Sequence, residues 1–198
     1  MAKDYMTKEE AFMAFGNSTG GLIPITSITA SNDATIDFTS GIDGTYDAYK
    51  IEFSGLRPAT DGTYLRILVS EDAGSTWKTT SGNYYQCGVV YRSDSTSATN
   101  NSQTLTEIRP IINVAGWQAG NATTESMSGF IQFYHPASTA LHKPFLISMS
   151  HGSTLGAEVR TFLGGRYTGA AAIDGIQFLM SSGNITSGEF TFYGLEGA

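Results

Sequence analysis

At 198 residues the chain is long enough for one domain with a sizeable core, which would bury about 70% of the surface exposed on unfolding. Charged residues are only 15%, and 21 Ser with 24 Thr keep the surface polar in their place. A net charge of −7 with scattered Lys and Arg excludes the cationic surface that nucleic acid requires, and the single Cys87 excludes an internal disulfide. With neither a basic start leading into an apolar run nor a stretch long enough to span a bilayer, the expectation is a protein made in the cytoplasm, without membrane contact.

Taken in chain order, residues 1–21 form an N-terminal anchor arm, helical or extended. Thr7 and Glu10 have capping-box spacing, and Phe12, Met13 and Phe15 supply apolar surface before the Gly-Asn-Ser-Thr-Gly-Gly hinge at 16–21. So short a helix is unstable alone and needs a surface, either its own domain or a neighbouring subunit. From Leu22 to the C-terminus the pattern predicts one β-domain. Strand candidates fall at 34–38, 49–53, 63–70, 84–92, 108–114, 128–135, 144–150, 158–163, 174–181 and 188–194.

The alternation of Tyr49, Ile51 and Phe53, then of Leu65, Ile67 and Val69, about the turn residues 58–62 predicts a hairpin. Asp72–Gly74 supply a tight turn, after which Trp77 folds back on the sheet. Cys87 lies in an apolar run and is expected as a buried thiol. Residues 93–106 and 118–128 are polar and expected as exposed loops. Ile176, Phe178 and Met180, then Phe190 and Phe192, about a Ser-Gly-Asn loop, predict a closing hairpin. The fold class expected is all-β, an antiparallel β-sandwich, jelly-roll-like, over 22–198, with Leu65, Ile67, Val69, Phe178, Phe190 and Phe192 buried.

His135, His142 and His151 stand beside turn signals and are expected in loops, with no metal-ligand spacing and no Cys-x-x-Cys. No Gly-x-Ser-x-Gly elbow nominates a nucleophile, and the dispersed carboxylates suit surface solubility better than paired acid and base. No catalytic residue, cofactor or metal is therefore assigned. Ser70 to Ser75 lacks the regular oxygen spacing of a calcium loop. Trp117, in Ala-Gly-Trp-Gln-Ala-Gly, is the candidate platform for stacking a sugar, while its neighbours Ile111, Ile112 and Val114 favour a core role.

Two segments carry a resemblance. Tyr46 to Trp77, through Phe53, Leu56, Pro58, Asp61-Gly62, Leu65, Ser70, Asp72 and Gly74, is similar to the opening phrase of a module found in tailed-bacteriophage virion proteins. Ile173 to Leu195, around Ser181-Ser-Gly-Asn-Ile185 and Ser187-Gly188, resembles the phrase that ends it. Together they cover about a third of the chain. The resemblance implies a non-enzymatic β-sandwich on the exterior of a virion, in capsid decoration or a tail fibre. The implied partners are other capsid or tail subunits, further copies in a homotrimer, and a host surface glycan. In that setting Phe12, Met13 and Phe15 would anchor the protein in a neighbouring virion subunit. A glycan-binding adhesin and a glycan-cleaving enzyme are the alternatives.

Overall fold

The computed structural model describes residues 21–94 and 96–197, so Phe12, Met13 and Phe15 lie outside the described residues. Every regular element described is a strand: β1 (Leu22–Ala30), β2 (Thr35–Phe38), β3 (Ala48–Pro58), β4 (Leu65–Ser70), β5 (Tyr84–Arg92), β6 (Thr96–Thr99), β7 (Ser102–Leu105), β8 (Met127–Tyr134), β9 (Lys143–Gly152), β10 (Glu158–Tyr167), β11 (Gly175–Met180) and β12 (Ile185–Leu195). They form two antiparallel sheets. The larger runs β1-β12-β3-β8-β9-β10-β5-β6, with β7 also on β5, and the smaller runs β2-β11-β4. The two pack as a β-sandwich, the expected class.

Period-two alternation explains which side chains meet between the layers. Ile51 and Phe53 of β3, Phe190 and Phe192 of β12, and Ile131 and Phe133 of β8 point inward from the large sheet. Ile36 and Phe38, Leu65, Ile67 and Val69, and Ile176, Phe178 and Met180 meet them from the small one. Phe178, fully buried, has ring centroids at 5.0 Å to Phe190 and 6.3 Å to both Phe38 and Phe53. The six side chains expected inside are all buried.

Neither expected hairpin forms. β3 pairs with β12 and β8, whereas β4 pairs with β11. Likewise β11 lies in the small sheet and β12 in the large one. Alternation shows that a strand has a buried face but is silent about its partner, and here each short link crosses between layers. The result interleaves the two segments: β3 with β12 in one sheet, β4 with β11 in the other.

Other expectations change as well. β1 belongs to the sheet although no strand was expected there; as an edge strand it is mostly exposed, so its apolar pattern is weak. The polar stretch 93–106 is largely exposed but contains β6 and β7, both paired to β5. Residues 108–114 are not a strand, and only Ile108 bridges to Ile67. Cys87 is exposed rather than buried, because β5 turns Tyr84, Gln86 and Val90 inward and Cys87 outward. His151 is not a loop residue; it sits in β9 and is 1% exposed.

Asp72 and Gly74 do form the expected turn. Ser70 Oγ donates to Asp72 Oδ1 (2.7 Å), which also accepts Thr76 N–H (2.8 Å), and Gly74 N–H donates to Ser70 Oγ (2.9 Å). The oxygens of this turn thus serve its own donors. Trp77 packs, half-buried, against the main core.

Candidate functional site

The small sheet has three strands and cannot cover the whole inner face of the large one. The segment after β7 covers much of the remainder. Ile108, Ile111 and Ala119 join the main core, while Ile112 forms a second cluster with Val90 and Val159, against which Trp117 packs. Backbone bridges pin Ala119 to Thr63 and Ser153, so the expected exposed loop 118–128 is buried at Ala119 and Gly120, exposed at 121–124, and gives way to β8 at the buried Met127. Gln86 and Asn100 fasten the other end: both side-chain amides donate to the Arg109 carbonyl, at 2.9 and 2.8 Å.

Trp117 belongs to this cover. It is half-buried, its carbonyl oxygen lies 2.8 Å from His151 Nε2, and the Arg92 guanidinium stands 5.0 Å from its ring centroid. Arg92 also donates to the Gly116 carbonyl and pairs with Asp94. Cation and core together occupy the indole, which leaves a poor platform for a sugar. Burial pushes the His151 imidazole down to about 4, so at neutral pH the ring is uncharged and donates to the Trp117 carbonyl. Its Nδ1 has no hydrogen-bond partner among the described residues.

A second buried polar group stands where loops 71–83 and 168–174 meet. Lys143 Nζ donates to the carbonyls of Leu141 (2.6 Å) and Ala170 (3.1 Å), and burial lowers its pKa. Nearby, Tyr167 donates to Glu71 (2.9 Å), which pairs with Lys78 (2.5 Å). The cavity beside Lys143 is about 10 Å³ and lined by Ile, Val, Phe and Tyr, so no substrate reaches the amine. These groups fasten loops. Among the described residues no three His, Cys, Asp or Glu side chains group to hold a metal ion.

The open feature is the outer face of the large sheet. Along β8, β9, β10 and β5 the outward positions carry Phe130, Leu146, Phe162 and Val89, the last three exposed at 49, 46 and 39%. Register places Phe130, Ser148, Phe162 and Val89 in one row, and Gln132, Leu146, Gly164 and Cys87 in the next. Gly164 lacks a side chain in the second row, where a concavity of about 420 Å³ opens between Phe130, Leu146 and Phe162, and a second of about 410 Å³ adjoins it over Tyr85, Cys87 and Arg166. Cations rim it. Lys50 stands 4.4 Å from the Phe130 centroid, Arg160 4.7 Å from Phe162, and Arg166 4.9 Å from Tyr85.

The sequence had one unused signal for this groove. Tyr84-Tyr85, Val89-Val90, Phe130-Ile131, Leu146-Ile147 and Phe162-Leu163 are adjacent apolar pairs within strands, which place apolar groups on both faces at once. No family model matches the chain, and neither a curated protein nor a solved structure does.

Proposed function

We propose that this protein is a non-enzymatic structural subunit on the exterior of a tailed-phage particle, attached to capsid or tail subunits and assembled from several copies, a trimer in the first instance. One observation supports the reading above others. The two segments that resemble the phage module, 46–77 and 173–195, supply β3, β4, β11 and β12, which pair with each other across both sheets into one continuous unit. Segments separated by about a hundred residues thus build a single structural core, as a module with a variable middle requires. A sandwich alone carries no function, so the proposal stands on that coincidence of resemblance and pairing.

The glycan-binding alternative is weakened by Trp117, whose ring is taken up by core and Arg92. The experiment is gold labelling of intact particles with an antibody against β6 and β7, Thr96–Leu105. Labelling on the outside is the expected result. Particles that contain the protein yet label only after disruption would overturn the external placement, and hydrolysis of host polysaccharide by the purified protein would overturn the non-enzymatic part.

A further inference from the structure

We infer that the cation-rimmed groove on the outer face of the large sheet is the docking site for residues 4–15 of the same chain. Its Phe130, Leu146, Phe162 and Val89 make a contiguous apolar surface on four neighbouring strands, an arrangement that marks an interaction site. The paired apolar residues along β5, β8, β9 and β10 are those of strands covered on both faces, whereas a solvated outer face would alternate to polar.

Charge selects the occupant. Arg160 and Arg166 have no carboxylate partner among the described residues, and Lys50 is paired with Glu52. A chain of net charge −7 therefore presents an unneutralised positive rim here. Residues 4–15 carry the complement: Asp4, Glu9 and Glu10 against Lys8, with Tyr5, Met6, Phe12, Met13 and Phe15 as apolar groups. Acidic groups meeting a basic rim around an apolar centre fix orientation as well as contact.

Reach permits it within one molecule. Leu22, Leu195, Ala48 and Tyr134 are in register, Phe133 pairs with Phe145 one position along, and Pro144, Arg166 and Tyr85 are in register at the same end, so the chain enters β1 at the groove's own end of the sheet. From β1 to β8 is three strand spacings, about 15 Å, and to β9 about 19 Å. The hinge 16–21 spans about 20 Å when extended, enough to deliver Phe15 to the groove. Tethering through a link of six residues then raises the effective concentration at the intramolecular site.

Cys87, the chain's one cysteine, pairs in register with Gly164 of the groove and lines the adjoining concavity with Arg166, so it reports on what covers this end of the face. In the full-length protein it should react with a bulky aromatic disulfide reagent at least tenfold more slowly than in the full-length variant Phe12→Asp/Phe15→Asp. Equal rates would overturn the proposal. As an independent reading from the groove side, Phe162→Asp should speed amide exchange of residues 4–15 at least tenfold while leaving β11 unchanged; unchanged exchange in 4–15 refutes docking. Mild oxidation of Thr7→Cys should give a disulfide to Cys87 within one chain. A product formed only between chains contradicts the intramolecular assignment.

Discussion

Phe178 and Phe190 belong to strands consecutive in the chain, yet they face each other from opposite sheets, ring centroids 5.0 Å apart and planes inclined at 51°. Both are fully buried, so each truncation removes a large apolar contact and leaves a cavity. Phe178→Ala and Phe190→Ala should each cost about 3–5 kcal/mol in denaturant unfolding. Because the rings touch, the double variant should lose less than the sum, by about 0.5–3 kcal/mol. Additive losses would mean that the two layers do not share this contact.

Acid should loosen the protein through His151. Its folded-state pKa of about 4 lies below the ordinary 6.5, so the unfolded chain takes up the proton first. The stability of the neutral ring is complete above the unfolded value and is lost as pH falls from about 6.5 towards 4, by about 2 kcal/mol at pH 5 relative to pH 7. Urea unfolding at the two pH values should show this difference, and His151→Gln should reduce it. A stability that rises between pH 7 and pH 5 in the wild type would contradict the sign.

The turn after β4 depends on Gly74, whose φ is +82° and where an added Cβ would lie 2.5 Å from Thr39 Cγ2. Gly74→Ala should destabilise by about 1–2 kcal/mol from backbone strain, with the Thr39 contact adding to it. Asp72 holds the same turn, and its hydrogen bonds, foremost those from Thr76, keep the carboxyl at about 2. Its contribution is therefore present above the ordinary carboxylate value and lost only as pH falls from about 3.8 towards 2. Thermal melts should rank wild type above Asp72→Asn, and that above Asp72→Ala.

Trp117→Ala should unpack the second cluster, with a cost of about 2 kcal/mol for a half-buried ring. The change should also speed amide exchange at Ala119 and Ser153, which the same cover holds in register. Oligosaccharides of the host surface should leave the Trp117 fluorescence unchanged. A saturable change with sugar would return Trp117 to the role of a platform.

How far the chain discloses this structure depends on what each side chain can report. The inward residues of β12 were legible because Phe190 and Phe192 alternate with Glu189, Thr191 and Tyr193, and those of β4 and β11 because large apolar side chains recur at every second position even though Leu68 and Gln177 on the other face are buried too. Pairing was not, since Leu65–Val69 and Phe190–Phe192 carry the same alternation whether their strands lie side by side or in opposite layers. The exposure of Cys87 is not legible because Tyr84-Tyr85 and Val89-Val90 are apolar in both parities, which hides which face is inside. The same doubling is the mark of the outer groove. His151 beside Gly152 has the local look of a turn, while its burial comes from Trp117, 34 positions away.

Mass spectrometry of gradient-purified phage particles, with the copy number of this chain measured against a capsid subunit, decides whether it is a virion component. Intact particles should carry it at a fixed stoichiometry, in the hundreds for head decoration or a multiple of three for a tail position. The chain's presence only in the cytosol of infected cells, and its absence from purified particles, would contradict it.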